Sequence, residues 1–196
     1  MKISVIGNGN VGSALAPRFA EAGHQVATAG SATPTEQVAA QVSAADVVVL
    51  AVRFPVVARL DEEVKRALDG KIVIDVTNPQ SPDFMSLTIG HTTSAGEQVA
   101  EALPGARVVK AFNTVFAANM ATPDLGGRTQ LLPVASDDDA AKKTVLDLGA
   151  QLGFDPVDAG PLANARYLEP AVELLVHLAF GSGLGTGIGF TLARAA

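Results

Sequence analysis

Short, nearly continuous apolar runs alternate along this chain with stretches whose apolar positions recur every three or four residues. The runs at 3–6, 25–29, 46–52, 71–75, 107–112, 131–135 and 154–157 read as strands, the third of them dense in β-branched side chains. The intervening segments read as helices at 11–22, 35–42, 54–68 and 95–103, then from a cap at Asp137 to about residue 152, and at 164–180. Within 54–68, Val57, Leu60, Val64 and Leu68 fall on one face, and Leu168, Val172, Leu175 and Leu178 do so in the last helix. Continuous rather than alternating apolar strands are the mark of a sheet buried on both faces, and strand–helix alternation builds such a sheet with parallel strands.

The first strand runs directly into Gly7, Asn8, Gly9, Asn10, Val11 and Gly12, a G-x-G-x-x-G pattern that opens the first helix. In that context the first glycine permits the tight turn, the second lets backbone approach a pyrophosphate, and the third lets helix and strand pack closely. Free N–H groups and the positive helix end favour the anion. The fold class expected is therefore α/β: a Rossmann-type, doubly wound, mainly parallel sheet. Beyond residue 160 the chain changes character, with glycine at every second position from Gly181 to Gly189. The expected organisation is a nucleotide-binding domain over 1–160 and a small C-terminal helical lobe over 161–196, serving as acceptor site or dimer contact.

At the end of the second strand an NAD site carries an acid that binds both ribose hydroxyls. Here Gly30, Ser31, Ala32 and Thr33 stand instead, and no acid appears before Glu36. Removing the acid lifts repulsion of a 2′-phosphate, and the hydroxyls of Ser31 and Thr33 can donate to its oxygens, which favours NADP(H). The same hydroxyls could instead cap the helix that follows. At the other strand ends, where such sheets bind ligands, lie Ala51, Val52 and Arg53, then Asn78 and Pro79, then Ala111 and Asn113. Asn78 and Asn113 could each bond a carboxamide or a ribose hydroxyl, or tie down their own loops.

Composition narrows the function. A net charge of −6, one tyrosine, no tryptophan and no basic run argue against nucleic acid or an anionic membrane as partner. Cysteine is absent, so thiolate chemistry and cysteine metal sites are excluded. The chain enters its first strand without a secretory pattern and has no spanning apolar run, so a cytoplasmic protein is expected. Asp137, Asp138 and Asp139 read as a cap and dipole partner rather than a metal cluster. Of the three histidines, His24 reads as a solvated turn residue and His177 as a satisfied helix residue. His91 lies on a loop that could reach the cleft and, with Asn113, is a candidate for a direct catalytic role.

The chain resembles the NADP oxidoreductases that act on the 8-hydroxy-5-deazaflavin coenzyme F420. The resemblance is carried by GNGNVGSALA from Gly7, DVTNP at 75–79, VVKAFNT at 108–114 and DAGPLANARYLEP at 158–170, of which the last is the most specific. VVKAFNT is also similar to the cytosolic nucleotide domains of membrane ferric reductases. The resemblance implies hydride transfer between NADPH and the deazaflavin, a small-molecule redox acceptor, in one cleft. It implies that Gly7, Asn8, Gly9, Asn10 and Val11 hold the pyrophosphate, that Ser31 meets the 2′-phosphate, and that Asn78 and Pro79 border the nicotinamide. Ala32 stands where the family often has arginine.

Hydride transfer between two ring carbons requires mainly that two flat rings be held face to face. Leu162, Leu184 and Ile188 could offer apolar contact to the second ring, with the alternating glycines admitting it close to backbone. A mobile tail or a subunit contact are the other readings, and the apolar last helix suits a homodimer. The alternative acceptors are a flavin, a ferric chelate or a small imine. A non-enzymatic dinucleotide-sensing module is the remaining alternative.

Overall fold

A computed structural model describes residues 1–195 of the chain. The strands are β1 (Lys2–Ile6), β2 (Gln25–Ala29), β3 (Val47–Leu50), β4 (Ile72–Asp75), β5 (Arg107–Lys110), β6 (Leu131–Val134) and β7 (Asp155–Asp158). The helices are α1 (Asn10–Glu21), α2 (Thr35–Ala44), α3 (Phe54–Val57), α4 (Glu62–Ala67), α5 (Ala95–Ala102), α6 (Asp139–Gln151) and α7 (Ala165–Val176). The first five strands form one parallel sheet in the order β2, β1, β3, β4, β5, the doubly wound arrangement expected. β6 and β7 form a parallel pair, which joins β5 through an antiparallel bridge between Lys110 and Ala135.

The apolar runs are continuous because alternate residues serve opposite faces. In β3, Val47 and Val49 pack on the side that carries Leu15, Phe19 and Leu148, while Val48 and Leu50 pack on the side that carries Val42, Leu68 and Val99. On the first side Phe19, Phe112 and Phe154 stack edge to face, with ring centroids 6.3 and 5.8 Å apart, and so tie α1 to the end of β5.

The helix expected over 54–68 is two helices. Asp61 takes an extended ψ of 145° and starts α4, whose first turn holds Glu62 and Glu63. Its carboxylate also accepts the Thr35 hydroxyl at 2.8 Å, a contact between helices that no local pattern reveals. The buried positions Val57, Val64 and Leu68 keep their places. The cap of α6 is Asp138, not Asp137. Asp138 accepts the Ala141 N–H at 2.8 Å, whereas Asp137 accepts the Leu162 N–H at 3.0 Å.

After α7 the chain makes a π-helical turn, His177–Gly181, and runs back along β6. There the Leu131 N–H donates to Phe190 O at 2.8 Å, and the buried Asn119 amide donates to Thr186 O and Ile188 O at 2.8 and 2.9 Å. Among the described residues no helix is long and apolar enough to cross a membrane.

Candidate functional site

Two clefts meet above the C-terminal ends of β1, β3 and β4. The smaller, of about 280 Å³, is lined by Gly9, Asn10, Val11, Ala51, Val52, Arg53 and Asn78, seven of the residues picked out in the sequence. The larger, of about 960 Å³, is mostly apolar and includes Asn113, Phe116, Val172, Val176 and Phe180. Asn10, Val11, Val76, Asn78, Gln80 and Phe84 belong to both, so the clefts share one wall.

The glycine loop is built as its pattern requires. Gly7 has φ 111°, and a Cβ there would lie 2.1 Å from Ala51 O. A Cβ on Gly12 would lie 1.8 Å from Gly7 O. A Cβ on Gly9, by contrast, would meet nothing within 4 Å. Packing therefore explains the first and third glycines, while the second faces open space at the mouth of the smaller cleft. The first amide of α1 to find an intrahelical acceptor is that of Ser13, on Gly9 O at 2.9 Å. The N–H groups of Asn10, Val11 and Gly12 precede it, with no side-chain cap and no acid in the first turn. This is an anion cradle with its donors free, and it fits a diphosphate.

Beside it, the Asn8 side chain lies so close over Gly30 that a Cβ there would be 2.4 Å from its amide nitrogen. The turn that follows is closed by two bonds of 3.0 Å, from Thr33 N–H to Gly30 O and from Gly30 N–H to Thr33 Oγ1. Thr33 therefore holds its own turn and does not cap α2, which begins after Pro34 without a side-chain cap. Its hydroxyl proton stays free to donate, and Ser31 is exposed next to it.

Asn78 and Asn113 bind each other. Asn113 Nδ2 donates to Asn78 Oδ1 at 3.0 Å, and Asn78 Nδ2 donates to Asn113 O at 3.1 Å. Each ties down the other's loop, and Asn113 Oδ1 remains buried without a partner. Phe112, just before it, has a left-handed φ of 62°, a conformation costing roughly 1–2 kcal/mol for a side chain of this kind. Phe84, on the shared wall, has the same φ of 62°.

Several expectations need correction. Pro79 and Ala111 are buried behind the wall and line neither cleft; Pro79 O accepts the Thr88 amide and Ala111 N–H donates to Asp75 O. His91 is exposed, also lines neither cleft, and has a left-handed φ of 62°. Leu162 packs in the core, and Leu184 and Ile188 do not reach the larger cleft, whose apolar wall comes from Val172, Val176 and Phe180 instead. His24 is not simply solvated: its Nε2 lies 3.0 Å from Gln151 Oε1 and its Nδ1 3.3 Å from the N-terminal ammonium. His177 Nε2 lies 3.1 Å from Met85 O, so it is a satisfied helix residue as expected.

Pattern reading passed over the polar core under this site. Lys110 Nζ, fully buried, lies 3.0 Å from Asp75 Oδ2, 2.9 Å from Glu169 Oε1 and 2.5 Å from Thr77 O. Glu169 also accepts the Ala95 and Gly96 N–H groups at 2.9 and 3.0 Å, closing the open end of α5. One turn earlier, Arg166 forms a two-pronged pair with Glu97 through Nε and Nη2, which holds the Glu97 carboxyl below the usual glutamate range. The DVTNP, VVKAFNT and DAGPLANARYLEP segments are thus joined through one ammonium. The available signal was a lysine flanked by Val108, Val109, Ala111 and Phe112.

Residues 2–79 match the family of NADP oxidoreductases, coenzyme F420-dependent. The F420-dependent NADP reductase of Methanothermobacter marburgensis is 30% identical over 215 residues, covering 91% of this chain and 92% of that protein. The metalloreductase STEAP3 of Rattus norvegicus is 32% identical over 182 residues, but the chain spans only 36% of its length. Among solved structures, a candidate F420-dependent NADP reductase from Arthrobacter sp. FB24 superposes with a TM-score of 0.88 at 31% identity, over 99% of this chain and 100% of that one. The chain belongs to the coenzyme F420-dependent NADP oxidoreductase family.

Proposed function

We propose that the protein moves a hydride between NADP(H), held in the smaller cleft, and the 8-hydroxy-5-deazaflavin coenzyme F420, held in the larger one. The observation that carries this reading is the common wall: Asn78, Gln80 and Phe84 border both clefts, so a ring at the inner end of one adjoins a ring at the inner end of the other. With both bound, NADPH would supply a hydride to a ring carbon of the deazaflavin, whose ring nitrogen would take one proton from solvent.

The protein's own contribution is binding and orientation. The Asn10, Val11 and Gly12 amides take the diphosphate, and Ser31 and Thr33 donate to the 2′-phosphate. The linked Asn78 and Asn113 hold the inner wall. Phe116, Val172, Val176 and Phe180 give the acceptor ring an apolar bed.

Mixing the protein with NADPH and oxidised F420 bleaches the deazaflavin band in step with NADPH consumption. No bleaching while NADPH remains bound refutes the reading. The likeness to a metalloreductase favours a ferric chelate or flavin as the second choice of acceptor, and turnover with one of these alone would select it.

A further inference from the structure

Besides Asn78, the wall between the clefts carries a second polar side chain whose orientation a neighbour determines. Gln80 Nε2 donates to Glu173 Oε2 at 3.1 Å. Glu173 projects from the buried side of α7 and is 9% exposed. With Glu173 Oε2 accepting this bond, the Gln80 amide turns its nitrogen toward α7. Its carbonyl oxygen is then directed away from Glu173, and the residue itself borders both clefts.

Glu173 lies on the buried side of α7. It is flanked on α7 by Val172 and Val176, which line the larger cleft, and its Oε1 is buried with no hydrogen-bond partner. The His177 imidazole lies 3.6 Å from that oxygen and binds Met85 O at 3.1 Å. Gln80 is anchored from the other side as well, where its backbone bridges Leu87 at the base of the tongue that carries Phe84. A flipped amide would set its carbonyl against the Glu173 carboxyl oxygen.

We infer that Gln80 is a specificity-determining residue of the acceptor cleft, positioned by Glu173 so that its carbonyl oxygen accepts a hydrogen bond from a ring N–H of the redox acceptor. This assignment rests on the larger cleft being the acceptor site. Asn113 Oδ1, the other acceptor on the inner wall, is also without a partner, so this wall offers oxygens and favours ligands that present N–H groups. An acceptor ring with an N–H between two carbonyls, as in the pyrimidinedione of deazaflavins and flavins, has the required edge. A ring alkylated at that nitrogen does not.

The test compares 8-hydroxy-5-deazariboflavin with its N3-methyl derivative, each titrated into the NADP⁺-loaded protein and followed by fluorescence quenching. Wild type binds the N–H ring roughly tenfold more tightly, the effect of about one good hydrogen bond. In Gln80→Leu the preference falls to within about twofold. In Glu173→Gln the Gln80 amide is no longer oriented and most of the preference goes, while affinity for NADP⁺ changes little. A merely structural role for Glu173 would weaken both rings equally. Equal binding of the two rings to wild type, or full preference retained in Gln80→Leu, overturns the assignment. Binding of neither ring refutes the acceptor-cleft reading and this assignment with it. Discrimination without turnover refutes only the proposed reaction.

Discussion

Lys110 and Glu169 meet at 2.9 Å where neither side chain reaches solvent, and the same ammonium touches Asp75. The cluster lies at the N-terminal end of α5, where Ala95 and Gly96 donate to Glu169. The cluster holds Thr77 by both of its backbone groups, since Thr77 O accepts from Lys110 and Thr77 N–H donates to Asp75. The next residue is Asn78, on the wall of both clefts.

Replacing Lys110 with methionine keeps the volume but strands two buried carboxylates. A loss of about 3–5 kcal/mol in unfolding free energy is expected, read from urea denaturation at neutral pH. Glu169→Gln retains an acceptor and costs less. If Lys110→Met unfolds at the wild-type midpoint, the cluster does not hold the segments together.

The three glycines of the loop divide by role. Gly9→Ala meets no protein atom at a φ of −73°, so it folds with wild-type stability and loses NADP(H) affinity in calorimetry, by roughly tenfold or more if the added methyl displaces a phosphate. Gly12→Ala drives a methyl into Gly7 O and destabilises the fold itself, by at least the 1–3 kcal/mol of an overpacked core. Unchanged nucleotide affinity in Gly9→Ala would mean that the phosphates lie elsewhere.

At the end of β2, Ala32 stands between the hydroxyl-bearing Ser31 and Thr33. Ala32→Arg supplies a guanidinium at an exposed turn and should raise the preference for NADPH over NADH by roughly tenfold, in line with a charge-assisted hydrogen bond of about 1.5 kcal/mol. Ser31→Ala should lower it. Equal kcat/KM ratios across the three proteins would remove this turn from the selection of the cofactor.

Arg107 binds Asp138 at 2.7 and 2.9 Å, and Asp138 also caps α6. The guanidinium, and then the Ala141 N–H, hold the Asp138 carboxyl well below the usual aspartate range. A depressed value contributes stability above the unfolded-chain pKa, and that contribution is lost as pH falls through the folded one. The wild type should therefore weaken below about pH 4, and Asp138→Asn should show a shallower decline there. At neutral pH, Asp138→Ala should cost about 1 kcal/mol, since the pair is 36% exposed on both sides and largely screened. Parallel pH–stability curves for wild type and Asp138→Asn would show that the pair contributes nothing.

Chain order alone made the alternation of strands and helices legible, as well as the doubly wound sheet and the anion cradle at Gly9. Each depends on local causes: a period of apolar residues, a φ only glycine takes freely, or amides that a first helical turn always leaves unpaired. The missing acid after β2 was likewise a matter of which residue occupies one position. The acceptor side was not legible. Gln80 and Phe84 sit in what reads as a polar loop, and only their folding against Glu173 and Arg53 gives them a wall to form. Pro79, Ala111 and His91 had suggestive places in the chain, but a side chain's direction depends on what packs behind it. The break before α4, the cap at Asp138 and the burial of Lys110 have the same origin. Each is set by a contact between segments distant in sequence, such as Thr35 with Asp61 or Lys110 with Glu169, and no periodicity encodes such a pair.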